Sequence, residues 1–228
     1  MKKQDAADTL KDKSGGAGYA WPGGARKIAV TGLLTALTVV TTMFTKIPTP
    51  LIHGYFNLGD TVVLIAGVMF GGMTGAFVGA VGSAAADLFT GGFLFAPITL
   101  IVKGLEGYVA GRLSGADANP GAGAGLKTGE GACDGTGNGP GTGANAKGGA
   151  RRVIGGGRLM PALCAGAIVM IAGYFAAEAT VLTLFDRAFG LGAALTELPF
   201  NLVQGGVSVA LARVAIEGLK RVKIFYRD

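Results

Sequence analysis

Polar and ionisable side chains recur inside apolar segments of this sequence, at spacings that place them on common helix faces. Thr99, Lys103 and Glu106 follow an i, i+4, i+7 pattern. A second set with the same spacing consists of Glu197, Asn201 and Gln204. Isolated charges in hydrocarbon cost several kcal/mol, so we expect these groups to face inward and to pair with each other or bind a ligand.

A carboxylate beside uncharged amides suits hydrogen bonding to a small, flat, polar heterocycle. The residues that we expect to contact such a ligand are Tyr55, Asn57, Asp87, Thr99, Lys103, Tyr174, Glu178, Glu197, Asn201 and Gln204. Two alternatives stay open. Lys103 can instead pair structurally with Glu106 or another carboxylate, and Tyr55 can be an aromatic residue at the headgroup level.

The composition predicts that the elements carrying these residues lie in a membrane. Half of the 228 residues are hydrophobic, 15% are charged, and the mean hydropathy is +0.50. The net charge of +6 arises mainly from basic clusters that flank apolar segments. This distribution is typical of the positive-inside rule rather than of a nucleic-acid surface, so no nucleic-acid partner is expected.

The apolar segments predict an all-α membrane protein with six transmembrane helices. Their expected ranges are 28–44, 61–70, 74–89, 93–113, 159–185 and 193–216. Asp60 and Thr61 look like a helix start, with a short polar side chain that caps free amides. If 60–89 formed one span, the central linker and the basic C-terminus would face outside. Six spans place all basic clusters and both termini in the cytoplasm.

The two tails and the central linker are predicted to be cytoplasmic, and the chain as a whole is predicted to lack catalytic machinery. The expected organisation is a disordered tail (1–27), helices 1 to 4 (28–113), a Gly-rich linker (114–158), helices 5 and 6 (159–217) and a basic tail (218–228). We find no serine–histidine pair, paired aspartates or metal-ligand spacing, and we predict neither an enzyme nor a cofactor.

Small residues recur every fourth position along several of these helices, including Gly32 and Ala36 in the first. Such rows let helix backbones approach closely. They either pack the helices of this chain against each other or, most plausibly in the first helix, form a docking face for another membrane protein.

Four motifs between Arg26 and Leu113 resemble the substrate-binding S component of energy-coupling factor (ECF) vitamin transporters. They are IPTP, GYFNLGD, FGGMTGAFVGAVGSAAADLFTGG and FAPITLIVKGLEG. The branch that they resemble takes up riboflavin, hydroxymethylpyrimidine or pyridoxine. The Gly-rich linker departs from the compact pattern of this family.

The resemblance implies a six-helix subunit of a bacterial plasma membrane that captures a vitamin at the outer face. It would work with a transmembrane T component and two cytoplasmic ATPases. The family docks through two alanines four residues apart in helix 1, matched here by Gly32 and Ala36, with Ala29 as another candidate. The alternative is a stand-alone, ion-coupled secondary transporter, although the two halves show no inverted repeat.

Overall fold

The computed structural model describes residues 23–48, 55–116 and 156–221, and each predicted apolar segment contains a helix in it. Residues 93–95, predicted as the start of the fourth helix, form a turn before it. The helices are α1 (Gly23–Phe44), α2 (Gly59–Phe70), α3 (Gly72–Phe89), α4 (Ala96–Ser114), α5 (Gly156–Ala176) and α6 (Leu191–Arg221). Two helices depart locally from α geometry. α3 contains a π turn at Val78–Gly82, and α5 continues through a π turn, Ala177–Val181, into a 3-10 turn, Leu182–Leu184.

Several predicted boundaries differ from the observed ones. α1 begins at Gly23, before the predicted start, and α6 extends beyond its predicted end to Arg221. The segment after α1, predicted as a loop, contains two short antiparallel strands, β1 (Ile47–Pro48) and β2 (Tyr55–Phe56). Most of the predicted tails and of the Gly-rich linker lies outside the described residues.

A single residue separates α2 from α3, as the paired glycines predicted. Gly71 has φ 99°, a left-handed conformation that glycine adopts without steric penalty. Its amide still donates to the Gly67 carbonyl at 2.9 Å. This carbonyl in the last turn of α2 therefore keeps a hydrogen bond where the chain changes direction. The sequence was therefore correctly divided into two helices here.

The start of α2 corrects one interpretation of the sequence. Asp60 does not cap the helix: α2 begins at Gly59, and no side-chain cap bond forms there. Asp60 is instead 1% exposed and ion-paired with Lys103 of α4. A short polar residue at a helix start is usually a cap. Here the carboxylate instead compensates a buried ammonium, which would be strongly destabilising without a partner.

α4 is the central helix, and glycines bring α2 and α3 against its backbone. A β-carbon at Gly75 or Gly107 would overlap backbone atoms of the other helix, and one at Gly67 would overlap the Gly107 carbonyl. One at Gly79 would overlap the Lys103 carbonyl. These rows of small residues therefore pack the helices of this chain, which is one of the two roles predicted for them.

An apolar cluster fills the end of the bundle away from Asp60. It joins α2, α4, α5 and α6 through buried residues that include Leu64, Val68, Ala110, Leu163 and Ile216. Among the described residues, four helices are long and apolar enough to cross a membrane, namely α1, α3, α5 and α6. α2 is apolar but has only 12 residues, and α4 carries Lys103, Glu106 and Arg112.

We expect Gly107→Ala to destabilise the bundle, because the added methyl group would push the α4 backbone away from α3. Overpacking of this kind typically costs about 1–3 kcal/mol. The matched control is Gly206→Ala in α6, where a β-carbon would meet none of the described residues within 4 Å. Thermal unfolding in detergent should show a lower midpoint for Gly107→Ala alone, and equal midpoints would contradict the packing described here.

Candidate functional site

Asp60, Lys103, Glu106 and Gln204 form a buried polar group, here called the charged cluster. The Lys103 ammonium pairs with Asp60 Oδ1 and lies 3.1 Å from Glu106 Oε2. Gln204 Nε2 donates to Asp60 Oδ2 at 2.8 Å. Residues from α2, α4 and α6 thus meet through their side chains at the first turn of α2.

The charged cluster is almost completely shielded from solvent, so its pairing matters for stability. Lys103 is 2% exposed, and its two carboxylate partners are exposed by no more than 1%. Removing one partner of a buried pair typically costs about 3–5 kcal/mol, because the remaining charge stays uncompensated. Of the two roles that the sequence left open for Lys103, pairing with carboxylates is present here, with both Asp60 and Glu106.

The segment before α2 closes over the charged cluster. The Asn57 amide donates to Gln204 Oε1 at 3.1 Å, and Asn57 Oδ1 accepts from the Gly59 amide at 2.8 Å. The Leu58 amide donates to Thr45 Oγ1 at the end of α1, at 2.9 Å. Residues 57–59 are therefore held by α1 on one side and by α6 on the other.

Tyr174 of α5 covers the ammonium of the charged cluster from another direction. Lys103 Nζ lies 5.4 Å from the centre of its ring, within the range of a cation–π contact. The Tyr174 hydroxyl donates to Thr99 Oγ1 at 3.1 Å, and Thr99 is buried one turn before Lys103 on α4. The predicted Thr99, Lys103 and Glu106 face of α4 is thus buried as a unit.

Two further predicted carboxylates are buried in the region where α6 packs against the end of α5. Glu178 lies in the π turn after α5, and α6 packs against this turn. Glu178 is 6% exposed and Glu197 is 8% exposed. Glu178 Oε2 has no hydrogen-bond partner among the described residues.

Asp87 lies in a separate ion pair at the end of α3. Lys46, just after α1, places its ammonium 3.1 Å from Asp87 Oδ1 and donates to Thr90 Oγ1 at 2.6 Å. Asp87 is completely buried and Lys46 is partly exposed. This pair ties the segment between α1 and β1 to the C-terminal end of α3.

The other predicted site residues are distributed as follows. Asn201 lies on α6 between Glu197 and Gln204 and is half-buried. The backbone of Tyr55 forms part of β2, but its side chain lies outside the described residues. The described residues contain no group of three His, Cys, Asp or Glu side chains that could hold a metal ion.

Sequence reasoning missed Asp60 and Lys46 as members of these polar groups. The sequence interpretation of Asp60 is a helix cap, although the buried Lys103 of α4 requires an anionic partner. Lys46 was an isolated cation between predicted helices, with no periodic neighbour to indicate its pairing. Only the juxtaposition of α1 with α3 reveals that contact.

Comparisons with known proteins find similarity in sequence over part of the chain and in fold over most of it. Residues 24–123 match the family of the ECF-type riboflavin transporter, S component. A relative from Pyrococcus woesei, described as "Uncharacterized protein in gap 3'region", is 44% identical over 82 residues. The match covers 36% of this chain and 55% of the relative, so the chain spans about half of that protein's length.

A solved structure described as "Structure and mechanism of the S component of a bacterial ECF transporter" shares the fold. It aligns with a TM-score of 0.58 and 18% identity, over 89% of this chain and 99% of the other. The resemblance to ECF S components that the sequence motifs predicted is therefore confirmed. The structural likeness at this identity shows the fold and does not identify a branch.

Replacing Lys103 by methionine should sharply lower the stability of the bundle, because Asp60 and Glu106 would lose their shared cation. We expect a loss of about 3–5 kcal/mol, partly recovered in Lys103→Met/Asp60→Asn. The control is Arg213→Met, which removes an exposed ion pair with Glu217 and should cost less than about 1 kcal/mol. Thermal unfolding of the four proteins measures these differences, and equal effects of the two single substitutions would contradict the pairing.

Proposed function

We propose that this chain is the substrate-specific membrane subunit of an ECF-type importer. It captures a small vitamin or vitamin precursor of the pyridoxine, hydroxymethylpyrimidine or riboflavin class at the outer face of the plasma membrane. A T component and two cytoplasmic ATPases then drive its delivery inward. The chain itself performs no catalysis in this proposal.

The observation that carries the proposal is the buried charged cluster inside a bundle of otherwise apolar helices. Ionisable groups at such a position are expensive and are typical of substrate pathways. Asp60, Lys103 and Glu106 all fall within the region that matches the riboflavin S component family. The region that matches the family therefore contains the three ionisable residues of the charged cluster.

The geometry of α2 supports six membrane crossings although this helix is short. Lys103 lies seven residues after the start of α4, which corresponds to about 10 Å along the helix axis. Asp60 pairs with it, so α2 starts about that far inside the bundle, and its 12 residues add about 18 Å. The sum approaches the roughly 30 Å of a hydrocarbon core.

The same geometry supports ligand capture from the side on which α4 and α6 begin. In the proposed orientation this is the outer side, and the termini and the 114–158 segment are cytoplasmic. The candidate ligand contacts Asn57, Thr99, Tyr174 and Gln204 then lie in the outer half of the bundle, joined by Glu178 and Glu197. Tyr55 and Asn201 remain proposed contacts on sequence grounds.

The exposed face of α1 supports docking to the T component. Gly32 and Ala36 are both exposed, and a β-carbon at Gly32 would meet none of the described residues within 4 Å. Large apolar residues on this helix are also exposed, including Ile28 at 74% and Leu33 at 71%. Most of the α1 surface is thus available to lipid or to another membrane protein.

Ala36→Trp should abolish uptake while leaving ligand affinity unchanged, because the indole would block close approach of a partner helix without touching the charged cluster. The control is Gly206→Trp, an exposed glycine of α6 with equally open surroundings. Uptake is measured in cells that express the T component and ATPases, and affinity by calorimetry on the purified chain. Normal uptake by Ala36→Trp would refute docking through this face.

Gradient-driven uptake by the chain alone in liposomes would favour an ion-coupled secondary transporter.

The six-span layout predicts that the 114–158 segment faces the cytoplasm. A single cysteine introduced between positions 117 and 155, in a cysteine-free background, should react with a membrane-impermeant maleimide only after the cells are opened. A cysteine at Thr90, between α3 and α4, is the control and should react in intact cells. Labelling of the 114–158 segment in intact cells would overturn the proposed orientation.

A further inference from the structure

Three consecutive backbone amides before α2 donate to side chains. The Asn57 amide donates to Gln204 Oε1 at 3.1 Å, and the Leu58 amide donates to Thr45 Oγ1 at 2.9 Å. The Gly59 amide donates to Asn57 Oδ1 at 2.8 Å. These three residues are here called the strap. Its position depends on a few identifiable side-chain acceptors.

The Thr45 hydroxyl is oriented to receive the strap. It donates to the Thr41 carbonyl of α1 at 2.6 Å, so its hydrogen is directed there and its oxygen can accept from the Leu58 amide. Thr42, three residues earlier, is buried, and a β-carbon at Gly59 would overlap its hydroxyl oxygen. The strap therefore lies directly against the end of α1, with no space for a side chain at its last residue.

Both polar ends of the Gln204 side chain are engaged, one by the strap and one by the charged cluster. Its amide oxygen accepts from the Asn57 amide, and its amide nitrogen donates to Asp60 Oδ2 at 2.8 Å. These two bonds fix the orientation of the side-chain amide, since only its oxygen accepts and only its nitrogen donates. A ligand can bind Gln204 only by displacing one of these partners.

Opening of the strap is the least costly way to reach the charged cluster. Asp60 and Lys103 are each exposed by 2% or less, so a ligand contacts them only after a covering element moves. The helices around the cluster hold their backbones through ladders of hydrogen bonds, whereas each strap amide depends on one side chain. Segments held in this way open at lower free energy than helices do.

We propose that Thr45 and Gln204 are positioning residues that hold the strap over the charged cluster, and that release of the strap sets the rates of ligand entry and exit. This inference rests on the proposed function and adds the regulation of its site. Thr45 acts through the Leu58 amide and is not one of the proposed ligand contacts. Loss of its bond lowers the cost of opening, so association and dissociation both become faster.

Hydrogen exchange at the strap amides tests the anchoring by Thr45 without any ligand. Thr45→Val removes the acceptor of the Leu58 amide, whereas Thr45→Ser keeps a hydroxyl. In the purified full chain, the peptide that contains the strap should exchange about fivefold faster in Thr45→Val, as expected for the loss of one hydrogen bond. Thr45→Ser should exchange like the unaltered protein.

The matched control for this measurement is Thr35→Val in α1. The Thr35 hydroxyl donates to the Thr31 carbonyl of the same helix at 2.8 Å, so its loss should leave exchange at the strap unchanged. Equal exchange rates in Thr45→Val and Thr35→Val would overturn the anchoring by Thr45.

The same measurement tests the second anchor through Gln204→Met, which keeps the length of the side chain and removes both of its bonds. Exchange at the strap should again be about fivefold faster or more. Exchange like that of the unaltered protein would remove Gln204 from the proposal.

Stopped-flow binding tests whether the strap controls access to the site. The probes are riboflavin, pyridoxine and 4-amino-5-hydroxymethyl-2-methylpyrimidine, and the one that binds most tightly is used. Thr45→Val should raise both kon and koff about fivefold and leave Kd nearly unchanged, and Thr45→Ser should restore both rates. A purely structural role for Thr45 would not speed association. A faster koff with an unchanged kon would therefore overturn the control of entry.

The remaining outcomes separate this inference from the proposed function. Unchanged rates in Thr45→Val, with uptake that depends on Ala36 and on the ATPases, overturn the role of the strap and keep the importer. Faster rates in Thr45→Val, with ion-driven uptake by the chain alone, keep the role of the strap and overturn the importer. Binding of none of the three probes overturns the proposed substrate classes, and hydrogen exchange then decides whether Thr45 and Gln204 hold the strap.

Discussion

The ion pair between Lys103 and Asp60 is the constraint on which the rest of the structure depends. It joins the middle of α4 to the first turn of α2, deep inside an apolar bundle, and Glu106 and Gln204 complete the arrangement. Because an unpaired charge at this position is so unfavourable, the pair fixes how far α2 and α4 are shifted relative to each other along the bundle axis. It also requires α2 to start inside the bundle, which explains how a helix of 12 residues fits among longer ones.

Glycine packing supplies the second constraint, and it acts on the same central helix. Gly67, Gly75 and Gly79 let α2 and α3 contact the α4 backbone, where side chains would hold the helices apart. One of these contacts is with the carbonyl of Lys103 itself. The position of the buried ammonium thus depends on backbone contacts between helices as well as on its carboxylate partners.

Two parts of the bundle bear on the proposed function because their chemistry is not satisfied within the described residues. One is the exposed apolar face of α1, where Gly32 and Ala36 create an open surface. The other is the end of α5, where the buried Glu178 has a carboxylate oxygen without a donor among the described residues. These regions lie on different elements, so the proposed partner docking and the proposed ligand binding can be altered separately by substitution.

The sequence by itself determined the helical segments, the break at Gly71 and the burial of the Thr99, Lys103 and Glu106 face, because hydrophobic length and helical periodicity are local properties. It also predicted the resemblance to S components from motifs between Arg26 and Leu113. The tertiary structure decided which charges meet: Asp60 pairs with Lys103 rather than capping its helix, and Lys46 reaches Asp87. Residues 41 or 43 positions apart are joined by helix packing, and no periodicity within one helix records such a contact.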